Sequence, residues 1–298
     1  MMRKNFMVPA VALLALTCCS FPGKKNKEVV IKSDTLKYCE STYILNDRLL
    51  VANFGSAEMD PLNKEGRGYV LIDDGGIMKP LIAPDGNLSA PRGMFSRNSL
   101  LYICDVDKVV VYNLDSLQVA PQIIKFTKDD SFVNDIIGIG NNIYVTVTNT
   151  GRIYKVDISD PAMLDVAVPE LWCSVPGPNG IATDGEKVYV ASYPPDGKVS
   201  DQNGIYVIND IEHPLPEIIV EEPGMYDGIA VSPDKKTLYI TNWSPAGIYS
   251  VDLTSADKKP EKIKLNTEVI GAADITLHND TLYIPDLAQS RVIIYPLK

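Results

Sequence analysis

Four oxygen-bearing side chains dispersed along the sequence, Glu40, Asn134, Asn179 and Asp227, are the ones whose types could act together. Two carboxylates and two amide carbonyls make an oxygen-only donor set, suited to a hard divalent cation such as Ca²⁺ with water completing the shell. Brought together without a cation, the carboxylates would repel, which is itself a reason to expect one. A cation held this way can polarise a carbonyl as a Lewis acid and activate a water for hydrolysis. Other chemistries are poorly supplied. The chain has 2 histidines, His213 before Pro214 in a Pro-rich connection and His278 in a hairpin turn. Ser-His-Asp or Cys-His catalysis and a His-based zinc site are therefore not expected. Gly75-Gly76 follows Asp73-Asp74 as a turn with no Gly-Lys-Ser/Thr behind it, so it does not cradle phosphate.

What places those four residues together is a repeat. The stretch Pro178-Asn179-Gly180-Ile181-Ala182, an Asp184-Gly185 turn and Tyr189-Val190-Ala191-Ser192 read as a hairpin of short buried strands. Tyr189 has counterparts at Tyr102, Tyr144, Tyr239 and Tyr283, with Leu50 as a weaker one, at spacings of 42 to 52 residues. Strand patterns recurring at that period predict β-propeller blades, and six units predict six blades. The units begin at Glu40-Ser41, Arg92-Gly93, Asn134-Asp135, Asn179-Gly180, Asp227-Gly228 and Ala273-Asp274. Because the innermost strand of every blade runs along the central channel, these leading positions converge on the axis. Asn and Asp beside Gly also form turns at strand starts, and each residue alone can be read that way. Their recurrence at one offset singles out the set. Asp135 and Asp274, one position further on, are expected to point into the blades in a structural role. Arg92 is expected either to clamp a substrate or to pair with an axial carboxylate.

The last unit has room for only three strands, and an unpaired strand, Val29-Val30-Ile31-Lys32, precedes the first unit. The N-terminal strand is therefore expected to complete the sixth blade and close the ring, which removes the open edge. Long insertions at Gly55–Arg67 and Tyr193–Asn203 interrupt the first and fourth blades, and loops of that length in compact units are often functional. Helical periodicity with caps is absent, so the expectation is one all-β domain over residues 29–298.

The net charge of −10 argues against a nucleic-acid partner, since an acidic surface repels phosphate backbones. The first residues are set apart. Arg3-Lys4 precedes an apolar run, Val8 to Leu16, too short to span a bilayer. It ends in Leu16-Thr17-Cys18-Cys19-Ser20, which resembles the lipobox of bacterial lipoproteins. That resemblance implies a signal peptide over residues 1–19, Cys19 as the acylated residue with Cys18 as the alternative, and a charged tether over residues 20–28. A plainly cleaved secretory signal is the other reading. The lipoprotein reading implies lipid anchoring on the periplasmic side of a Gram-negative envelope, or exposure at the surface, with the anchor as the only membrane contact, and a monomer is expected. The remaining cysteines, Cys39, Cys104 and Cys173, have no disulfide or metal spacing, and burial is expected for Cys104 and Cys173.

Pro178-Asn179-Gly180-Ile181 and Tyr226-Asp227-Gly228-Ile229, with Phe132-Val133-Asn134-Asp135 and Cys39-Glu40-Ser41, resemble the senescence marker protein/gluconolactonase (regucalcin-like) family. The resemblance implies a six-bladed propeller with one divalent metal, most simply Ca²⁺, in the channel. It further implies Glu40, Asn179 and Asp227 as metal ligands, Asn134 on the substrate side, and hydrolysis of a lactone or related small ester. In that reading Asp227 doubles as the general base, and Asn134 and Arg92 orient the substrate. The sequence departs from the family pattern at Phe132, where the family has a substrate-contacting Arg, at Ile136 in place of a Gly, and in lacking the Trp of the family's Glu-Gly/Ser-Pro-x-Trp start. Arg92, from another blade, is the candidate replacement for the missing cation. The alternative function is a non-enzymatic propeller that binds a carbohydrate, peptide or envelope protein through its loop face.

Overall fold

In the computed structural model, which describes residues 27–297, six four-stranded antiparallel sheets stand in a ring. The signal sequence, Cys18, Cys19 and most of the tether lie outside the described residues. In the first blade the strands run Cys39–Leu45, Arg48–Asn53, Tyr69–Asp73 and Met78–Ile82 from the axis outward. The next four blades repeat this order, starting at Met94, Val133, Pro178 and Tyr226. The sixth takes Thr276–His278, Thr281–Asp286 and Arg291–Pro296 from the C-terminal end of the chain and Val29–Lys32 from the N-terminal end. Ring closure by the N-terminal strand is thus observed, with Val29 opposite Ile294 and Lys32 opposite Arg291. Among the described residues helix is confined to two three-residue 3₁₀ turns, Leu164–Val166 and Leu287–Gln289. None of the described helices is long and apolar enough to cross a membrane.

Sheet-on-sheet contact explains the sequence pattern of the second strands. In Leu100–Asp105, Leu101 and Ile103 pack against the first blade, and Leu100, Tyr102 and Cys104 pack against the third. A strand sandwiched on both faces has no solvent side, so its apolar run is continuous rather than alternating. Each of the six blade interfaces has its own apolar cluster of this kind. The repeated tyrosines sit in these seams, with Tyr102, Tyr144 and Tyr189 buried. Cys104 is buried as expected, whereas Cys173 is only half-buried, near Trp172 at the edge of its cluster.

A second repeated position was not evident from the sequence. The second strands of four blades end in Asn53, Asp105, Asn242 and Asp286, all buried. Each side chain accepts a backbone N–H from the segment leading into a first strand: Lys37 (2.9 Å), Ala90 (2.7 Å), Met225 (2.8 Å) and Gly271 (2.8 Å) respectively. These bonds fix where the chain re-enters the axis, and so fix the leading residue of each blade.

Strand direction also places the N-terminus. First strands begin, second strands end and third strands begin at one face of the ring. Val29–Lys32 runs antiparallel to Arg291–Pro296, so it enters at the opposite face and climbs toward that one. Glu28 anchors the entry by accepting the Asn266 and Thr267 N–H groups at 2.8 and 2.9 Å.

Candidate functional site

In four blades the ladder between the first and second strands skips a residue at the axial position. The partners pass from Cys39↔Asn53 to Ser41↔Ala52, and from Val133↔Val147 to Ile136↔Val145. They pass likewise from Pro178↔Ser192 to Ile181↔Val190, and from Tyr226↔Asn242 to Ile229↔Ile240. Each is a one-residue bulge, and the bulged segments carry Glu40, Asn134, Asn179 and Asp227. A bulge re-aims the side chain it carries, here toward the axis. The peptide groups it frees are collected by second-strand threonines. The Gly228 N–H donates to Thr241 Oγ1 (2.6 Å), whose hydroxyl donates to the Ala273 carbonyl of the next blade (2.5 Å). Thr146 does the same between Asp135 N–H (2.9 Å) and the Asn179 carbonyl (2.6 Å).

The glycines that follow Asn179 and Asp227 are explained by space, not by turns. Both lie within strands, and neither is among the positive-φ residues. A Cβ on Gly180 would stand 2.4 Å from the Asp227 carbonyl oxygen, and one on Gly228 would stand 2.5 Å from the Ile275 nitrogen. Neighbouring blades touch backbone to backbone here, which narrows the channel and draws the axial side chains together.

All six leading residues, Glu40, Arg92, Asn134, Asn179, Asp227 and Ala273, line one cavity of about 300 Å³. Glu40, Arg92, Asn134, Asn179 and Asp227 are buried, between 1% and 8% exposed. Two atoms stand out. Glu40 Oε2 and Asp227 Oδ1 are the described side-chain polar atoms that are buried with no hydrogen-bond partner. An unpaired buried carboxylate oxygen is costly, and native proteins leave few. Among the described residues the Asn134 and Asn179 amides also make no hydrogen bond to protein. Burial, and then the Asp227 charge, push the Glu40 carboxyl well above the usual carboxylate range. Burial and then Asp274 push Asp227 up to about 8, partly offset by Arg92.

Asp135 and Asp274 are absent from the cavity lining and have partners. Asp135 accepts the Ile136 and Ile181 N–H groups, both at 2.8 Å. Asp274 accepts the Ser41 hydroxyl at 2.6 Å and the Ile275 N–H at 2.7 Å. They join neighbouring blades just behind the axial ring. Burial raises both, Asp274 to about 6 with the Ser41 and Ile275 bonds opposing, while Asp274 adds to the rise of Asp135.

Arg92 forms no ion pair with an axial carboxylate. Its guanidinium donates to the Val133 carbonyl at 3.2 Å and to the Pro61 carbonyl, and it lies 4.4 Å from the Phe132 ring centroid and 5.7 Å from that of Phe54. Burial lowers its pKa, and Glu40 and Asp105 oppose that shift. Both carbonyl bonds and the aromatic faces favour the cation. The Arg92 guanidinium thus rests on Phe132, the position where a cation was missing from the expected pattern.

The donors fit a hard cation. Two unpaired carboxylate oxygens and two uncommitted amides share one cavity, and a divalent ion would satisfy the oxygens and offset the charge. Among the described residues no three His, Cys, Asp or Glu side chains gather as a metal-binding group, so amide oxygens are needed to complete the set.

The walls come largely from residues that no repeat in the sequence singles out. Phe54, Tyr193, Trp243 and Leu287 each follow directly on a second strand, and Phe132 precedes the third blade. Both insertions contribute: Met59, Pro61 and Leu62 from Gly55–Arg67, and Tyr193 and Pro195 from Tyr193–Asn203. Their signal was the position after each second strand, which carries no common residue type.

No family model matches the sequence, and no curated protein matches it. Solved structures do share the fold. A nidogen/laminin complex structure aligns at TM-score 0.61 with 15% identity, covering 78% of this chain and 86% of that one. The β-propeller domain of Cps50 (Swd1) from Myceliophteria thermophila aligns at TM-score 0.59 and 12% identity, over 91% and 100%. XC5397 of Xanthomonas campestris, a gluconolactonase, aligns at TM-score 0.57 and 16% identity, over 88% and 97%. At these identities the likeness defines a class of fold, the β-propeller, here with six blades.

Proposed function

We propose that this propeller hydrolyses a lactone or related small ester in its axial cavity, with a divalent cation, most simply Ca²⁺, held by Glu40, Asn179 and Asp227. The observation that carries the reading is the pair of unpaired buried oxygens, Glu40 Oε2 and Asp227 Oδ1, in a cavity whose axial amides, Asn134 and Asn179, are uncommitted. Similarity to a gluconolactonase fold supports it. When bound, the cation supplies Lewis-acid polarisation of the substrate carbonyl. Asp227 is the general base that takes a proton from the attacking water, its carboxylate kept ionised for that role by the cation beside it. Asn134 and the Arg92 guanidinium orient the substrate, Arg92 being fixed by the Val133 carbonyl and the Phe132 ring. The apolar walls keep bulk water from the floor.

The test is hydrolysis of glucono-δ-lactone and simple lactones, followed by acid release in weakly buffered solution with calcium or with chelator. Calcium-dependent turnover that is lost in Asp227→Asn supports the proposal. Rates equal to spontaneous hydrolysis across the panel refute it.

A second reading, a non-enzymatic binding propeller, is favoured by the exposed apolar residues Met59 and Leu62 at the cavity mouth. It predicts ligand capture that survives Asp227→Asn. For the cell, we propose attachment through acylated Cys19 on the periplasmic side of the envelope, as a monomer. Because Val29–Lys32 enters from the face opposite the cavity, such an anchor holds the mouth away from the bilayer.

A further inference from the structure

The floor and the walls of the axial cavity differ in chemistry, and the difference bears on the substrate. We infer that the cavity takes a lactone or ester carrying an apolar alkyl or aryl substituent, its carbonyl on the polar floor and its substituent against the walls. This rests on the cation-dependent reading of the floor. Above the axial residues, Asn149 is the one amide in the wall, and it is already committed. Its Oδ1 accepts the Ser131 and Phe132 N–H groups, both at 3.1 Å, and its Nδ2 donates to the Asp129 carbonyl at 2.8 Å. The polar side-chain atoms left on the wall are the Tyr193 hydroxyl and the Trp243 indole N–H, against Phe54, Phe132, Leu287 and Leu62.

A sugar lactone bears hydroxyls on most ring carbons. Each one buried without a partner costs roughly tenfold or more in affinity. An apolar substituent meets no such penalty, and each methylene removed from water gains about fourfold. At the mouth, Met59 and Leu62 stand 41% and 46% exposed on the first-blade insertion, where a substituent rising from the floor would cover them. The volume of about 300 Å³ is at the small end for ligand sites, enough for a ring and a short chain.

The experiment measures binding and turnover separately, with calcium present. Fluorescence quenching of Trp243, with Trp243→Phe as the blank, gives affinity for δ-lactones bearing butyl, hexyl and octyl chains and for glucono-δ-lactone. Acid release gives turnover. The inference expects affinity to rise about fourfold per methylene until the chain leaves the cavity, and every alkyl lactone to bind more tightly than glucono-δ-lactone. Leu62→Ser and Met59→Ser, on an exposed loop, are expected to flatten the chain-length dependence without lowering the melting temperature. Glucono-δ-lactone binding as well as the alkyl series, no dependence on chain length, or no binding of either overturns the inference. Alkyl lactones that bind with this dependence but are not turned over uphold the ligand class and refute hydrolysis instead.

Discussion

Protons and a divalent cation compete for the same oxygens on the propeller axis, so calcium affinity is expected to fall steeply in acid. Burial and Asp274 raise Asp227 to about 8, and burial and Asp227 raise Glu40 in the same direction. Below pH 8 the cation must displace a proton from Asp227, which costs about tenfold per pH unit, or ~1.4 kcal/mol. Between pH 8 and pH 6 that amounts to roughly a hundredfold, ~3 kcal/mol, for Asp227 alone, and a proton on Glu40 steepens the slope. Stability without calcium moves the other way. The folded state holds protons on these carboxyls where the unfolded chain has released them, so stability falls as pH rises from the ordinary carboxylate range through about 8. Calorimetric calcium titrations at pH 6, 7 and 8, in buffers of different ionisation enthalpy, measure both the affinity and the protons released. The expected result is release of nearly one proton per ion at pH 7 from Asp227 and a log Kd slope that approaches one toward pH 6. Binding that is independent of pH and releases no protons would refute the competition, and with it the raised titration of Glu40 and Asp227.

Asp227→Asn should abolish the calcium-dependent rise in melting temperature and, at pH 8 without calcium, should melt above the wild type because a buried charge is gone. A saturating rise in wild type of ~2.7 kcal/mol at a hundredfold excess over Kd corresponds to roughly 5–10 °C in a scan. Gly228→Ala forces a Cβ within 2.5 Å of the Ile275 nitrogen and should cost about 3 kcal/mol or more, read as a drop in denaturant midpoint. Thr241→Val leaves the Gly228 N–H and the Ala273 carbonyl unpaired and should cost about 2–4 kcal/mol, measured the same way. Starting the chain after Lys32 bares the edge of Arg291–Pro296 and should give a species that self-associates in light scattering, whereas an intact ring stays monodisperse.

The architecture was legible because a propeller repeats. Tyrosines at a near-constant interval marked the second strands, and counting back from them found residues that share one cavity floor. The unclaimed strand at Val29–Lys32 matched the short last unit, and it does complete the sixth blade. The reason for the Asn-Gly and Asp-Gly pairs was not legible. As dipeptides they read as turns, but the glycine requirement comes from a neighbouring blade's backbone about fifty residues away along the chain. The partner of Arg92 was hidden likewise. Sequence offers a substrate or an axial carboxylate, whereas the fold brings the Pro61 and Val133 carbonyls and the Phe132 ring to it. The walls, Phe54, Tyr193, Trp243 and Leu287, hold equivalent places but share no residue type, so no pattern announced them.

An anomalous difference map from crystals grown with millimolar calcium would locate the axial cation directly. One peak is expected in the axial cavity, about 2.3–2.6 Å from oxygens of Glu40, Asn179 and Asp227. A map with no peak there, or with calcium bound only elsewhere on the surface, would contradict it.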